Sequence, residues 1–234
     1  IASPEMDALV SWMAQSEARV NRQLFDLVTL PQAGRGLVAS VDLPANQILF
    51  EIPQQLILDD YIAVKFFDKE RSLRDEVYFK LQEMSRSHPT NFMAVFLMVL
   101  RAGNTSFEAY AKSLPDQPAL LSFMYSPDQL QRLTGSMLKS FSEKRYETSK
   151  LFYDQMISPL IDSVLGSDSN LGSFHRFQEA LAFIWSRTHS VYNNEYNSTR
   201  PALVPLGDLL NFGIEPNVKS YTDQMNMFVY RTTR

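Results

Sequence analysis

The chain has 234 residues, of which 45% are hydrophobic and 21% charged, a balance that supports a soluble globular core and excludes a disordered or fibrous chain. At roughly 150 residues per domain it holds one or two domains, read as one core with an inserted lobe. Its 22 Lys and Arg against 26 Asp and Glu leave a net charge of −4 and it has no Cys, which argues against nucleic acid as partner and removes disulfides, thiolate nucleophiles and cysteine-held metals.

The start, Ile1-Ala2-Ser3-Pro4, has neither an initiator Met nor a basic-then-apolar leader, so the N-terminus is read as cut. Ser3 is the expected N-cap before Pro4 and Glu5, and Met6, Leu9, Val10 and Met13 follow at helical spacing, predicting a first helix to about Glu17. Short apolar runs at 24–28, 36–41 and 47–52, parted by Pro31, Gly34 and Pro44-Ala45-Asn46, predict three strands. From 59 to 191 the period is helical, with a helix start at Ser126-Pro127-Asp128 and a mostly unbroken amphipathic stretch over 133–164. Glu143-Lys144-Arg145 mixes signs, as a solvated helix face does. The longest apolar run, 92–100, is far short of the ~20 residues that span a bilayer, so no membrane partner is expected.

After Arg200 short apolar runs return at 202–206 and 225–230, with a turn at 213–217 between them. The order is strands, helices, strands. An α+β fold follows, in which both ends of the chain share one sheet system, divided as 1–58, a helical insert at 59–180, and 181–234.

Chemistry is sought next. The histidines His88, His175 and His189 lie far apart and form no ligand pair, so no metal is expected; His189 reads as a capping or half-buried residue at a helix end. No G-x-S-x-G elbow occurs. Gly34-Arg35-Gly36 has a strand on both sides and no third glycine, which predicts a hairpin turn with positive φ rather than a dinucleotide loop, while leaving backbone groups open to a ligand. In Pro205-Leu206-Gly207-Asp208-Leu209-Leu210-Asn211-Phe212 two polar residues stand three apart among apolar ones. Either Asp208 caps a short helix that Asn211 ends, or the two serve a ligand. Trp185-Ser186-Arg187 ends a helix, where an Arg suits the dipole without any ligand.

Taken together, Gly34-Arg35-Gly36-Leu37-Val38-Ala39, the run from 43 to Ile52-Pro53, Ser186-Arg187 and Leu203 through Asn211 resemble the SET-domain methyltransferases of the Rubisco large-subunit methyltransferase type. Tyr110 with Leu114-Pro115, and Leu133-Thr134-Gly135, resemble the helical insert of that class. The resemblance implies small twisted β-sheets interrupted by a long all-helical insert, S-adenosylmethionine as cofactor, and a protein substrate methylated on lysine, or alternatively on histidine, in the cytoplasm or nucleus. It also implies cofactor contacts at Ala33, Gly34, Arg35 and Gly36 through the backbone, at Arg187, and at Asp208, Leu209, Leu210, Asn211 and Phe212. Phe212 stands where the family has His. That contact is largely main-chain, so the expectation is retained binding with altered packing under the adenine; the rival is a core plug in a non-catalytic SET-like binding module. The family's catalytic tyrosine is expected after Arg234, and neither Tyr221 nor Tyr230 is given its role.

Overall fold

Pro4, with φ already fixed, opens helix α1 (Pro4–Ala14); Glu5 and Asp7 lie in its first turn, and Met6, Leu9 and Met13 form its buried side. The helix stops short of the expected end because Glu17 takes φ +67, a left-handed position that closes the turn. The computed structural model describes residues 4–31, 34–70, 73–166 and 171–234, so the expected Ser3 cap lies outside the described residues. By contacts the chain divides into two units, one made of residues up to Ile62 with Lys112–Leu114 and Arg187–Arg234, the other of Ala63–Ala111 and Pro115–Ser186.

The first unit carries the strands: β1 (Arg19–Val20), β2 (Phe25–Leu30), β3 (Gly34–Ala39), β4 (Ile48–Pro53), β5 (His189–Asn193), β6 (Ser198–Ala202), β7 (Val218–Thr222) and β8 (Met227–Thr232). They pair antiparallel as β1-β4-β8-β7, β2-β3 and β5-β6. The two ends of the chain do meet in one sheet, Phe50 lying opposite Tyr230 and Ile52 opposite Phe228. All four side chains are buried, and burial of each such side chain contributes about 1.5–3 kcal/mol. Phe50 sits 5.8 Å from Phe25 edge-on and 4.6 Å from Tyr230, centroid to centroid.

Two details of the last stretch differ from expectation. The apolar run at 225–230 enters its strand only at Met227, because Asp223 Oδ1 accepts from the backbone N–H groups of Met225 and Met227, each at 2.9 Å, and Asn226 takes φ +61 in the turn they form. The turn at 213–217 is followed by β7, whose side chains are exposed or half-buried. Without a buried face the strand lacks the alternation that marks one in sequence, and its pairing with β8 makes it a strand.

The helices are α2 (Asp60–Glu70), α3 (Asp75–Ser87), α4 (Pro89–Ala102), α5 (Glu108–Ser113), α6 (Pro127–Gln131), α7 (Met137–Phe152), α8 (Ile161–Leu165) and α9 (Phe174–Arg187). Residues 92–100 of α4 are all buried, as a helix apolar all round must be, and the helix is bounded by Pro89 and by Gly103 at φ +88. No described helix is long and apolar enough to cross a membrane. Ser126 opens α6 with a capping box, accepting from Gln129 N–H at 3.3 Å while its own N–H donates to Gln129 Oε1 at 2.8 Å. The stretch at 133–164 is broken twice. Gly135 takes φ +88 before Ser136 caps α7, and a π-helical turn at Tyr153–Ile157 follows it, the Ser158 N–H donating to Tyr153 O at 2.8 Å. The helical region ends at Arg187 rather than 191, because His189 pairs with Ala202 in the β5–β6 ladder. His189 is thus half-buried as expected, but in a strand and not as a helix cap. The whole is α+β, small antiparallel sheets with a helical middle.

Candidate functional site

The β2–β3 hairpin runs from Phe25 opposite Ala39 to Leu30 opposite Gly34. Gly34 takes φ +68 and a Cβ there would meet nothing, so conformation alone asks for glycine. Gly36 is glycine for a different reason. Its φ is not positive, but a Cβ on it would overlap the carboxamide of Asn211. The two motifs singled out in the sequence are therefore in contact, the second glycine letting the Asn211 side chain come down onto the β3 backbone. Arg35 between them is tied elsewhere, donating Nη2 to Ser113 O at 2.6 Å with Nη1 3.5 Å from Glu5 Oε2. Only its backbone is left to the site. Ala33 lies outside the described residues.

Asn211 is presented by a 3₁₀ turn at Gly207–Leu209. Asp208 N–H donates to Val204 O at 3.0 Å, Leu209 N–H to Leu206 O at 3.1 Å and Leu210 N–H to Gly207 O at 3.2 Å. The expectation that Asp208 caps this turn is corrected: Leu206, at φ +66, is the residue before it, and Asp208 sits inside it with its side chain buried. Asn211 lies beyond the turn and is exposed. Arg187, at the end of α9, donates Nη1 to Asp208 O at 2.8 Å, so it does more than complement a helix dipole and pins the turn by its backbone. Leu209 is buried and Leu210 half-buried. Phe212 is 95% exposed, which removes the reading of its ring as a core plug, and Ile214 on the same loop is 93% exposed.

Under the turn lies a pair the sequence reading missed. A Cβ on Gly207 would overlap Oη and Cζ of Tyr230, which is 2% exposed. The Tyr230 hydroxyl is 3.1 Å from His189 Nδ1. Burial, and then the Asp208 charge, push the Tyr230 hydroxyl well above the usual phenol range, while burial holds His189 below the usual imidazole range. Both are neutral near pH 7. The available signal was Gly207 itself, a glycine between two buried residues, where close approach is a standard reason for lacking a side chain.

Beside β3 a cavity of about 270 Å³ is bounded by Phe25, Leu37, Leu43, Leu49, Leu210 and Val218 among others. It is smaller than the roughly 300–1,000 Å³ of ligand pockets, and of the residues predicted for the site it takes in only Leu210. The polar groups around Gly36 and Asn211 are thus the better candidate. Among the described residues no cluster of three or more His, Asp or Glu could hold a metal ion.

Comparison with known proteins gives a consistent picture of the fold. No protein-family model matches the chain. An uncharacterized protein of Schizosaccharomyces pombe is 22% identical over 227 residues, 91% of this chain and 44% of its own length. The crystal structure of the SET domain of LSMT bound to lysine and AdoHcy matches with a TM-score of 0.74 at 18% identity, covering 98% of this chain and 50% of that one. Rubisco LSMT bound to AdoMet matches with a TM-score of 0.72 at 19% identity, covering 98% and 49%. The chain has the SET-domain fold of the LSMT type, and it spans about half the length of these relatives.

Proposed function

We propose that this chain binds S-adenosylmethionine and serves a protein methyltransferase that acts on lysine, with 1–58 and 181–234 as the two parts of the SET domain and 59–180 as its insert. The observation that carries this reading is the descent of the Asn211 carboxamide onto Gly36, two residues remote in sequence for both of which the family resemblance implies cofactor contacts. The residues present fit such a ligand. A carboxamide offers both donor and acceptor, as the ammonium and carboxylate of an amino acid require, and Asn211 is exposed beside a strand backbone kept bare by Gly34 and Gly36. When bound, S-adenosylmethionine supplies an electrophilic methyl group on a positively charged sulfur.

The chain's own residues bind and orient. The backbone of Gly34, Arg35 and Gly36 and the segment Asp208, Leu209, Leu210, Asn211 and Phe212 hold the cofactor, and Arg187 keeps that segment in place through Asp208 O. A lysine acceptor, with an ordinary pKa of about 10.4, has to lose its proton before it can act as a nucleophile; a dry channel beside a positive charge favours the neutral amine. Orientation and water exclusion are what the protein adds. No side chain of this chain is assigned to the reacting atoms: Tyr230 is buried against His189, and Tyr221 stands on β7 with the Arg231 guanidinium 5.0 Å from its ring.

A second reading, a SET-like protein-binding module without catalysis, is favoured by Phe212 in the place of the family's His. The test, made on the full-length natural protein, is transfer of tritiated methyl from S-adenosylmethionine to proteins of a cell extract, followed by acid hydrolysis and amino-acid analysis. Label in methyl-lysine is the expected result. Label in methyl-histidine would move the acceptor, and no label from a protein that binds the cofactor would favour the module.

A further inference from the structure

We infer that His189 and Tyr230 are positioning residues for the proposed cofactor site, holding the Gly207–Leu209 turn and so fixing where Asn211 meets Gly36. The inference rests on the cofactor reading above and assigns a role to residues outside it.

The turn needs such support. Leu206 takes φ +66 and ψ −40, a region that a large side chain occupies only when its surroundings over-determine it. The support comes from β8, which lies inside its sheet between β4 and β7. There the Tyr230 ring is locked 4.6 Å from Phe50 and 5.2 Å from Phe228, centroid to centroid, and its hydroxyl occupies the space that a side chain at Gly207 would take. His189 on β5 holds that hydroxyl in turn, its Nδ1 3.1 Å away. A neutral imidazole has one donor and one acceptor nitrogen and a phenol hydroxyl can donate or accept, so the Nδ1–hydroxyl bond is made in either tautomer. Arg187 grips Asp208 O at 2.8 Å as well. A turn held at both Gly207 and Asp208 has one position, and Asn211 follows from it. Neither His189 nor Tyr230 needs to touch the ligand.

A double-mutant cycle tests this, with S-adenosylhomocysteine as the probe and calorimetry as the readout. Tyr230→Phe keeps the ring and removes only the hydroxyl; it should weaken binding about five- to twentyfold in the otherwise unchanged protein, and by less than about twofold when Asn211 is already Ala, because the position being held no longer matters. His189→Leu should repeat the pattern, and His189→Gln, which restores an acceptor and a donor, should recover most of the affinity. A purely structural role would lower affinity by the same factor in both backgrounds, and that additivity, or unchanged binding by Tyr230→Phe, overturns the inference. If His189→Leu does not fold, Tyr230→Phe carries the test alone. Failure of the unsubstituted protein to bind the probe at all would reject the cofactor reading itself, a result distinct from additive variants of a protein that binds.

Discussion

Gly36 and Gly207 are glycines for the sake of other residues. Neither has positive φ; each is bare because a side chain arrives on it, the Asn211 carboxamide in one case and the Tyr230 hydroxyl in the other. Their substitutions should therefore differ. In Gly36→Ala the new methyl displaces the end of an exposed, flexible side chain, so stability should change by less than about 1 kcal/mol while S-adenosylmethionine affinity falls roughly tenfold. Gly207→Ala meets a ring fixed between Phe50 and Phe228 that cannot yield. Overpacking of this kind costs about 1–3 kcal/mol, roughly 2–12 °C in the unfolding midpoint of a chain this size. Thermal melts and calorimetry on both variants check the contrast, and equal loss of stability in the two would contradict it. At this scale the sequence showed that Gly34-Arg35-Gly36 is a hairpin and that Asp208 and Asn211 are out of place among apolar neighbours. It could not show which side chain fills the space over a glycine, since that depends on strands whose pairing lies far along the chain.

Helix ends carry a second consequence. Asp59 stands just before α2, 5% exposed, its Oδ1 accepting from Ile62 N–H at 2.8 Å. Burial raises its pKa, against the smaller opposing pulls of the Ile62 bond and the Arg200 charge. A carboxyl held above its unfolded value of about 3.9 binds its proton more tightly in the folded state, so its contribution is present at low pH and is lost as pH rises through the raised value. Near neutrality the buried charge is a net burden. Asp59→Asn keeps the cap acceptor and removes that charge, so the variant should melt no lower than the parent at pH 7, and any advantage should vanish as pH falls below about 4. A clear loss at pH 7 would mean that the charge is stabilising. Elements were readable where burial wrote a period into the sequence: α4 is apolar all round, and Ser126 with Gln129 announces α6. β7 was not, because Val218-Lys219-Ser220-Tyr221-Thr222 has no buried face and owes its strand to β8. His189 was placed on the helix before it because nothing local distinguishes the last helical turn from a strand that pairs with residues after the next turn.

For the whole molecule, the order strands, helices, strands was readable from changes of texture, and the sharing of one sheet by the two ends followed from it. The register was not: that Phe50 faces Tyr230, and that this places a phenol under Gly207, is a property of the folded sheet. Nor could the sequence state that Gly36 and Asn211 touch, the contact on which the proposed cofactor site depends. Calorimetric titration of S-adenosylmethionine into the protein and into Asn211→Ala tests that site most directly. The unsubstituted protein should bind one equivalent, and the variant should bind roughly tenfold or more weakly, the equivalent of about 1–3 kcal/mol for a lost polar contact. Equal affinity of the two, or no binding by the unsubstituted protein, would contradict the placement of the cofactor between β3 and the Gly207–Leu209 turn.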